Sequence, residues 1–151
     1  MNKSVTLALD VMSGENAPHS SIEAALKLIS VNESVNLHLI GNKEEIKEYL
    51  PGKVDERLSI RHTEEIITMK DSPMDVLRRK KQSSMRLAVE MVANKKADAC
   101  ISSGNTGALL AISKYLLKTI PNISRPALAK SIPTIKSFTY MLDLGLSLIH
   151  I

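Results

Sequence analysis

The sequence has few aromatic residues, one cysteine and no long apolar run. Aromatic residues make up 3% of the 151 residues, and tryptophan is absent. Platforms that stack nucleic-acid bases need exposed aromatic rings, so the composition argues against a nucleic-acid partner. The lone Cys100 excludes a disulfide framework and is typical of a protein of the reducing cytoplasm. The apolar runs are too short or too charged for a signal peptide or a membrane span.

What is present fits one ordinary globular domain. Apolar residues account for 44% and charged residues for 24% of the chain. With so few aromatic residues, the core must be built from Leu, Ile, Val, Ala and Met, which suits buried strands covered by helices. The net charge of +4 is too small to imply a polyanionic partner, so the placement of the charges carries more information.

Apolar segments with strand and helix periodicity alternate along the chain. We predict a fold of the α/β class with a mostly parallel sheet, right-handed crossovers and helices on both faces. The predicted strands are residues 5–9, 36–40, 58–61, 99–101, 127–132 and 138–142. The predicted helices follow Pro18 and Asn42, and then cover residues 85–94 and 106–118.

The central candidate site is a glycine-bracketed loop between a predicted buried strand and a predicted helix. The free N–H groups at the start of a helix and its dipole favour an anion. Glycine permits close approach of the backbone, and short polar side chains add donors. In the alternative interpretation, the two glycines only make a tight turn. The candidate residues are Ser103, Gly104, Asn105, Thr106 and Gly107.

A second loop follows the first predicted strand. Asp10 ends that strand, and the loop continues through Gly14 and Asn16. Ligands of open α/β sheets bind beyond the carboxyl ends of the strands, so an acid there is a site candidate. The alternative is that Asp10 only accepts hydrogen bonds from N–H groups of its own loop.

Four consecutive cations, Arg78, Arg79, Lys80 and Lys81, concentrate the positive charge. Such a run must be solvated or matched by an anion. An Arg fork holds a pair of phosphate oxygens, and a basic surface also attracts an acidic protein. A solvated surface without function is the alternative.

Together, three motifs resemble the bacterial phosphate acyltransferase (PlsX) family, the acyl carrier protein:phosphate acyltransferases of phospholipid synthesis. They read LDVMSGENAP at 9–18, RRKKQSSMR at 78–86 and ADACISSGNTGAL at 97–109. The resemblance covers residues 4–145. It implies a Rossmann-like three-layer α/β/α fold akin to phosphotransacetylases and isopropylmalate dehydrogenases, without metal or nucleotide. It also implies a cytoplasmic homodimer, peripheral to the membrane, that transfers a fatty acyl chain from acyl carrier protein to inorganic phosphate.

Our hypothesis for the site follows from the residues and this resemblance. Backbone N–H groups of residues 103–107 and the side chain of Asn105 bind phosphate or the developing oxyanion. Asp10 and Asn16 shape the facing wall, and we expect Asn105 and Asp10 to take part in catalysis. Arg78, Arg79, Lys80 and Lys81 supply positive potential for phosphate or for the acidic carrier protein.

The sequence departs from the family pattern in its first loop and at its end. Ser13 and Glu15 replace a glycine and an aspartate, and Ser137 stands where a glycine is usual. Ser13 fits only if its φ is negative. We expect residues 1–145 to be the N-terminal portion of such an enzyme domain. Residues 146–151 read like a translated sequencing adapter, so we expect a non-native tail and a gene that continues.

Two other functions compete with the acyltransferase. The chain as written is a catalytically silent fragment if the enzyme needs the family's further segments. A nucleotide-dependent oxidoreductase domain has related architecture, but the first loop lacks its G-x-G-x-x-G fingerprint.

Overall fold

A parallel four-stranded sheet organises residues 4–118. The computed structural model describes residues 4–52, 55–124 and 126–142, and the chain divides into two units after Lys118. The sheet of the first unit has the strand order β3-β2-β1-β4, and all three neighbouring pairs are parallel. Its strands are β1 (Val5–Asp10), β2 (Val35–Gly41), β3 (Leu58–His62) and β4 (Ala99–Ser102).

Helices cover both faces of this sheet, which confirms the predicted three-layer α/β/α class. Successive residues of a strand point to opposite faces. Leu7 and Leu9 of β1 accordingly pack with the α1 cluster, whereas Ala8 packs with the α4 cluster. The helices are α1 (His19–Val31), α2 (Lys43–Tyr49), α3 (Pro73–Arg79), α4 (Ser84–Ala93) and α5 (Thr106–Leu117).

Local sequence signals explain several helix starts. The Asn42 side chain accepts hydrogen bonds from the N–H groups of Glu44 and Glu45 at the start of α2. At the start of α3 the Ser72 hydroxyl accepts from the Asp75 N–H and donates to the Asp75 carboxylate. Pro73 occupies the first position of the helix. Ser83 occupies the N-cap position of α4, but its hydroxyl donates to the Lys80 carbonyl and does not cap the helix.

The second unit contains an antiparallel pair, β5 (Ala129–Pro133) and β6 (Phe138–Leu142). The expectation that these two segments continue the pattern of parallel strands is wrong. Their connection, residues 134–137, is long enough for a hairpin and too short for the crossover that parallel strands require.

Two further expectations are corrected in the first unit. The strand before the glycine loop is predicted to be buried, yet β4 is the outer strand of the described sheet and its residues are exposed or half-buried. The basic run, to which the sequence analysis assigned no helix, begins within α3. The predicted non-native tail, residues 146–151, lies outside the described residues.

Candidate active site

The candidate loops meet at the carboxyl ends of β1 and β4, which are neighbours in the sheet with Asp10 opposite Ser102. From β1 the chain proceeds to β2 on one side, and after β3 it returns to β4 on the other side. The strand order therefore reverses between β1 and β4. Open α/β sheets bind ligands at such a switch point. The fold thus places both predicted loops where a ligand is expected.

Asp10 ties the two loops together. Its side chain is fully buried. One carboxylate oxygen accepts hydrogen bonds from the Ser13 hydroxyl at 2.6 Å and the Ser102 hydroxyl at 2.7 Å, and the other accepts from the Met12 N–H at 3.3 Å. The carboxylate therefore acts as an internal acceptor for both loops. The alternative of a cap for N–H groups of its own loop describes only the Met12 contact, because the other two donors are hydroxyls and Ser102 lies at the end of β4.

Two glycines allow these loops to touch. A Cβ added at Gly104 would lie 2.7 Å from both Cβ and Oγ of Ser13. Gly14 has a φ of +112°, a conformation that L side chains rarely adopt, and lies beside the Ser103 side chain. Ser13 is not among the described non-glycine residues with positive φ, so its side chain fits where the family usually has glycine.

The start of α5 offers two backbone donors. Asn105 is its N-cap, and the side-chain oxygen accepts from the Ala108 N–H at 3.0 Å. Among the described residues, nothing accepts a hydrogen bond from the N–H groups of Thr106 and Gly107. Thr106 is exposed and Gly107 half-buried. These two donors therefore remain for an anion, favoured by the dipole of a 12-residue helix.

The other end of the Asn105 side chain holds the segment that precedes α3. We call residues 66–72 the strap. The Asn105 Nδ2 donates to the carbonyl oxygens of Thr68 and Asp71, at 3.2 and 3.0 Å. Asn105 is only 9% exposed. Its amide thus joins the start of α5 to the strap, and both ends of the amide are used within the protein.

Lys80 also binds the strap. Its Nζ donates to the Ile66 carbonyl and to the Asp71 carboxylate, both at 2.7 Å. The hydrogen bond from Lys80, together with those from the backbone and side chain of Thr68, lowers the pKa of Asp71 to about 2. Lys80 is therefore engaged within the protein at neutral pH.

The rest of the basic run is exposed. Arg78, Arg79 and Lys81 are all exposed, and Arg79 makes only a loose pair with Asp75 at 3.9 Å. Asn16 is exposed in the first loop, where its carbonyl accepts from the Ser20 N–H. A ligand or a partner protein can reach the side chains of these residues, as it can reach those of Ser103 and Thr106.

The structure thus brings Asp10, Gly14, Ser103, Gly104 and Asn105 into one cluster. The prediction that Asp10 and Asn105 take part in catalysis stays a prediction, because their described contacts are hydrogen bonds within the protein. The strap residues Thr68 and Asp71 were missed. The signal that could have found the strap is Ser72-Pro73 with Asp75, a helix start that places a fixed loop before α3.

The described residues contain neither a cluster suited to a metal ion nor a helix suited to a membrane. No group of three or more His, Cys, Asp or Glu side chains stands in an arrangement suited to a metal ion. None of the described helices combines the length and apolar character needed to cross a bilayer.

The fold defines an α/β protein whose candidate site, with the N–H groups of Thr106 and Gly107, lies at the switch point of its sheet. A family model described as "Fatty acid synthesis protein" matches residues 5–148, and the chain belongs to this family. It is 50% identical over 145 residues to a phosphate acyltransferase of Shewanella sediminis, a match that covers 93% of the chain and 42% of the relative.

Other curated relatives have the same description. A phosphate acyltransferase of Shewanella woodyi is 48% identical over 145 residues, with 93% of the chain and 42% of the relative covered. One of Nitrosococcus oceani is 46% identical over 145 residues, with 94% and 43% covered. The chain therefore spans less than half the length of these relatives. These relatives are described as acyltransferases and not as oxidoreductases.

Proposed function

We propose that the chain is part of an enzyme that transfers a fatty acyl group from an acyl carrier protein thioester to inorganic phosphate, giving an acyl phosphate. The observation that carries the proposal is the pair of unengaged N–H groups of Thr106 and Gly107 beside the exposed Ser103. The phosphate acyltransferase relatives support it.

The reaction needs positioning more than a covalent intermediate. A phosphate oxygen attacks the thioester carbonyl carbon, a C–O bond forms, and the C–S bond then breaks with departure of the thiolate, which takes up a proton. Charge develops on the carbonyl oxygen in between. Preoriented donors stabilise such charge, and loss of one donor commonly costs about 100- to 1000-fold in kcat. We assign this task to the Thr106 and Gly107 N–H groups.

Asp10 and Asn105 act as positioning residues, because they hold the segments around these two N–H groups in place. Asp10 fixes the β1 loop, including Gly14, against the β4 loop. Asn105 fixes the first turn of α5 against the strap. Asn16 and Ser103 are exposed in the two loops, and we propose that their side chains contact substrate.

The exposed cations Arg78, Arg79 and Lys81 serve the approach of the acidic carrier protein. Exposed charges act over distance and raise association rates more than they hold a ligand in place. Lys80 is not among them, because its Nζ is bonded to the Ile66 carbonyl and the Asp71 carboxylate of the strap. As the family resemblance implies, we propose that the full-length enzyme is a cytoplasmic homodimer with peripheral membrane contact.

The test uses a chimera in which this chain's matched residues replace the matched region of the Shewanella sediminis relative. Incubated with acyl carrier protein thioester and phosphate, the chimera should form acyl phosphate, trapped as the hydroxamate. Asn105→Ala should lower turnover by more than about tenfold because the start of α5 loses its tie. Asn105→Asp keeps the oxygen that caps α5 but loses the N–H donors to the strap. Its turnover therefore shows what the strap contacts contribute.

The experiment has one control and one outcome that would contradict the proposal. The 151-residue chain alone should form no acyl phosphate, in line with the alternative of a silent fragment. A folded chimera that binds the thioester but transfers no acyl group to phosphate would overturn the proposed function.

A further inference from the structure

Residues 68–71 of the strap form a tightly held turn. The Asp71 N–H donates to the Thr68 carbonyl, and the Asp71 carboxylate accepts from the backbone and the side chain of Thr68. The Asn105 amide donates to both of these residues' carbonyls, and Lys80 donates to the Asp71 carboxylate. The turn is therefore fixed against the start of α5.

Two exposed methionines lie in the segments that contact the start of α5. Met69 and Lys70 occupy the middle of the turn, and Met69 is 75% exposed. Met74 is 57% exposed and follows Pro73, whose Cγ lies 3.4 Å from the position of a Cβ added at Gly107. Methionine is a flexible apolar residue and is enriched at protein interfaces. An exposed pair beside the candidate site therefore suits contact with another protein.

The exposed charge around the two methionines is mostly positive. Residues 66–81 contain five cations and two acids. Both acids are engaged, because Asp71 bonds Lys80 and Asp75 accepts from the Ser72 hydroxyl. Four of the cations are exposed, namely Lys70, Arg78, Arg79 and Lys81. The surface thus complements an acidic protein that also presents apolar side chains.

The same features favour a protein over a membrane. Helices that lie in a membrane interface are long and amphipathic and use Trp, Phe and Leu. Residues 66–81 contain no aromatic residue, and α3 has only seven residues. A protein that delivers a thioester must also place its reacting carbon within about 3.5 Å of the attacking oxygen, which requires docking beside the site.

We infer that Met69, Lys70 and Met74 form the surface on which an acidic, thioester-carrying protein docks. Its identification as the acyl carrier protein rests on the proposed function. The two methionines make the apolar centre of the contact and slow dissociation, whereas the exposed cations of the basic run speed association.

Stopped-flow binding of acyl carrier protein thioester to the chimera tests this assignment. Met69→Gln with Met74→Gln keeps the side-chain length and removes the apolar character. Dissociation should become about tenfold faster, while association changes by less than about twofold. Val31→Thr, at a 75% exposed position at the end of α1, is the control and should change neither rate. Unchanged dissociation of the methionine variant in a chimera that transfers acyl groups would overturn the inference and leave the proposed function standing.

A thioester without a carrier protein distinguishes docking from binding of the acyl chain. In the methionine variant, KM for the carrier protein thioester should rise by about tenfold with kcat unchanged. KM for an acyl pantetheine thioester should stay within about twofold of the unsubstituted chimera. Equal rises in the two KM values would mean that the methionines contact the acyl chain, and would overturn the inference.

A third measurement uses the 151-residue chain and does not depend on folding of the chimera. With methyl-labelled methionine, acyl carrier protein thioester should shift the NMR signals of Met69 and Met74 saturably. The signal of Met91, which is only 5% exposed, should stay unchanged as the internal control. Shifts produced by phosphatidylglycerol vesicles and not by the carrier protein would indicate a membrane contact and would overturn the inference.

Discussion

The loop pair at β1 and β4 and the basic run of α3 differ, although the sequence places both in one site. The loops are tied by Asp10, which is fully buried and accepts three hydrogen bonds. In the basic run Lys80 is hydrogen-bonded within the protein, whereas Arg78, Arg79 and Lys81 are exposed and Arg79 makes only a loose pair with Asp75. From this difference we expect the loops to fix the geometry of the site and the basic run to attract a partner. Substitutions in the loops should therefore change stability and anion binding, and those in the run should change association.

The largest effect is expected from Asp10→Ala. The change leaves the hydroxyls of Ser13 and Ser102 and the N–H of Met12 without their acceptor, which should lower the free energy of unfolding by about 3 kcal/mol. Urea unfolding of the 151-residue chain measures it. Asp98→Ala is the matched control, because Asp98 accepts one exposed hydrogen bond from the Thr6 N–H and should cost about 1 kcal/mol or less. Equal losses of unfolding free energy in the two variants would contradict the conclusion that Asp10 ties the two loops together.

Gly104→Ala should come next. Its Cβ would approach Ser13 atoms to 2.7 Å, so the loops must separate, at a cost of about 2 kcal/mol. Phosphate affinity should fall with it. At Gly52 an added Cβ meets nothing within 4 Å, so Gly52→Ala should be nearly neutral. Urea unfolding and phosphate titration of both variants test the contact. A neutral Gly104→Ala variant would show that the loops do not need to touch.

The contacts of Asp71 in the strap should make the free energy of unfolding depend on pH. The hydrogen bond from Lys80, with those from the backbone and side chain of Thr68, lowers the pKa of Asp71 from 3.8 to about 2. A carboxyl with a lowered folded-state pKa stabilises the fold above its unfolded-state pKa, and this stabilisation is lost as pH falls through the folded-state pKa. The stability difference between wild type and Asp71→Asn should therefore be full at pH 5 and shrink as pH falls from about 4 to about 2. Thermal unfolding across that range measures it. A constant difference would argue against the ion pair.

The smallest effect on stability is expected in the exposed run. Arg78→Gln with Arg79→Gln should change the free energy of unfolding by about 0.5 kcal/mol or less. In the chimera the same pair should slow association with the acyl carrier protein, most strongly at low salt. Stopped-flow binding at two ionic strengths tests this, with Lys95→Gln and Lys96→Gln, exposed cations after α4, as the charge-matched control. Equal slowing by both pairs would mean that only net charge matters.

Much of the fold could be predicted from local signals. The apolar runs and the helix start at Asn42 located four strands and four helices of the first unit. The missed α3 has a charged second half and only Val76 buried, so its apolar periodicity is weak. The hairpin direction depends on the four residues between β5 and β6 and on pairing, which periodicity does not report.

The candidate site could be predicted only in part. The glycine loop and Asp10 were recognised because strand ends and helix starts have local signatures. The partners of Asp10 and Asn105 could not be predicted, because Ser102 lies 92 positions from Asp10 and Thr68 lies 37 positions from Asn105. Whether a polar side chain faces substrate or its own protein depends on such distant contacts. The exposure of β4 could not be predicted either, because it depends on which strands lie beside it in the sheet.

The most direct test of the central claim is a titration of the isotopically labelled 151-residue chain with inorganic phosphate, followed by the amide signals in NMR. The account predicts saturable shifts at the Thr106 and Gly107 N–H groups, reduced in Gly104→Ala, while the amides of α2 stay unchanged at equal ionic strength. Shifts that are absent at Thr106 and Gly107, or equally large across the whole chain, would contradict it.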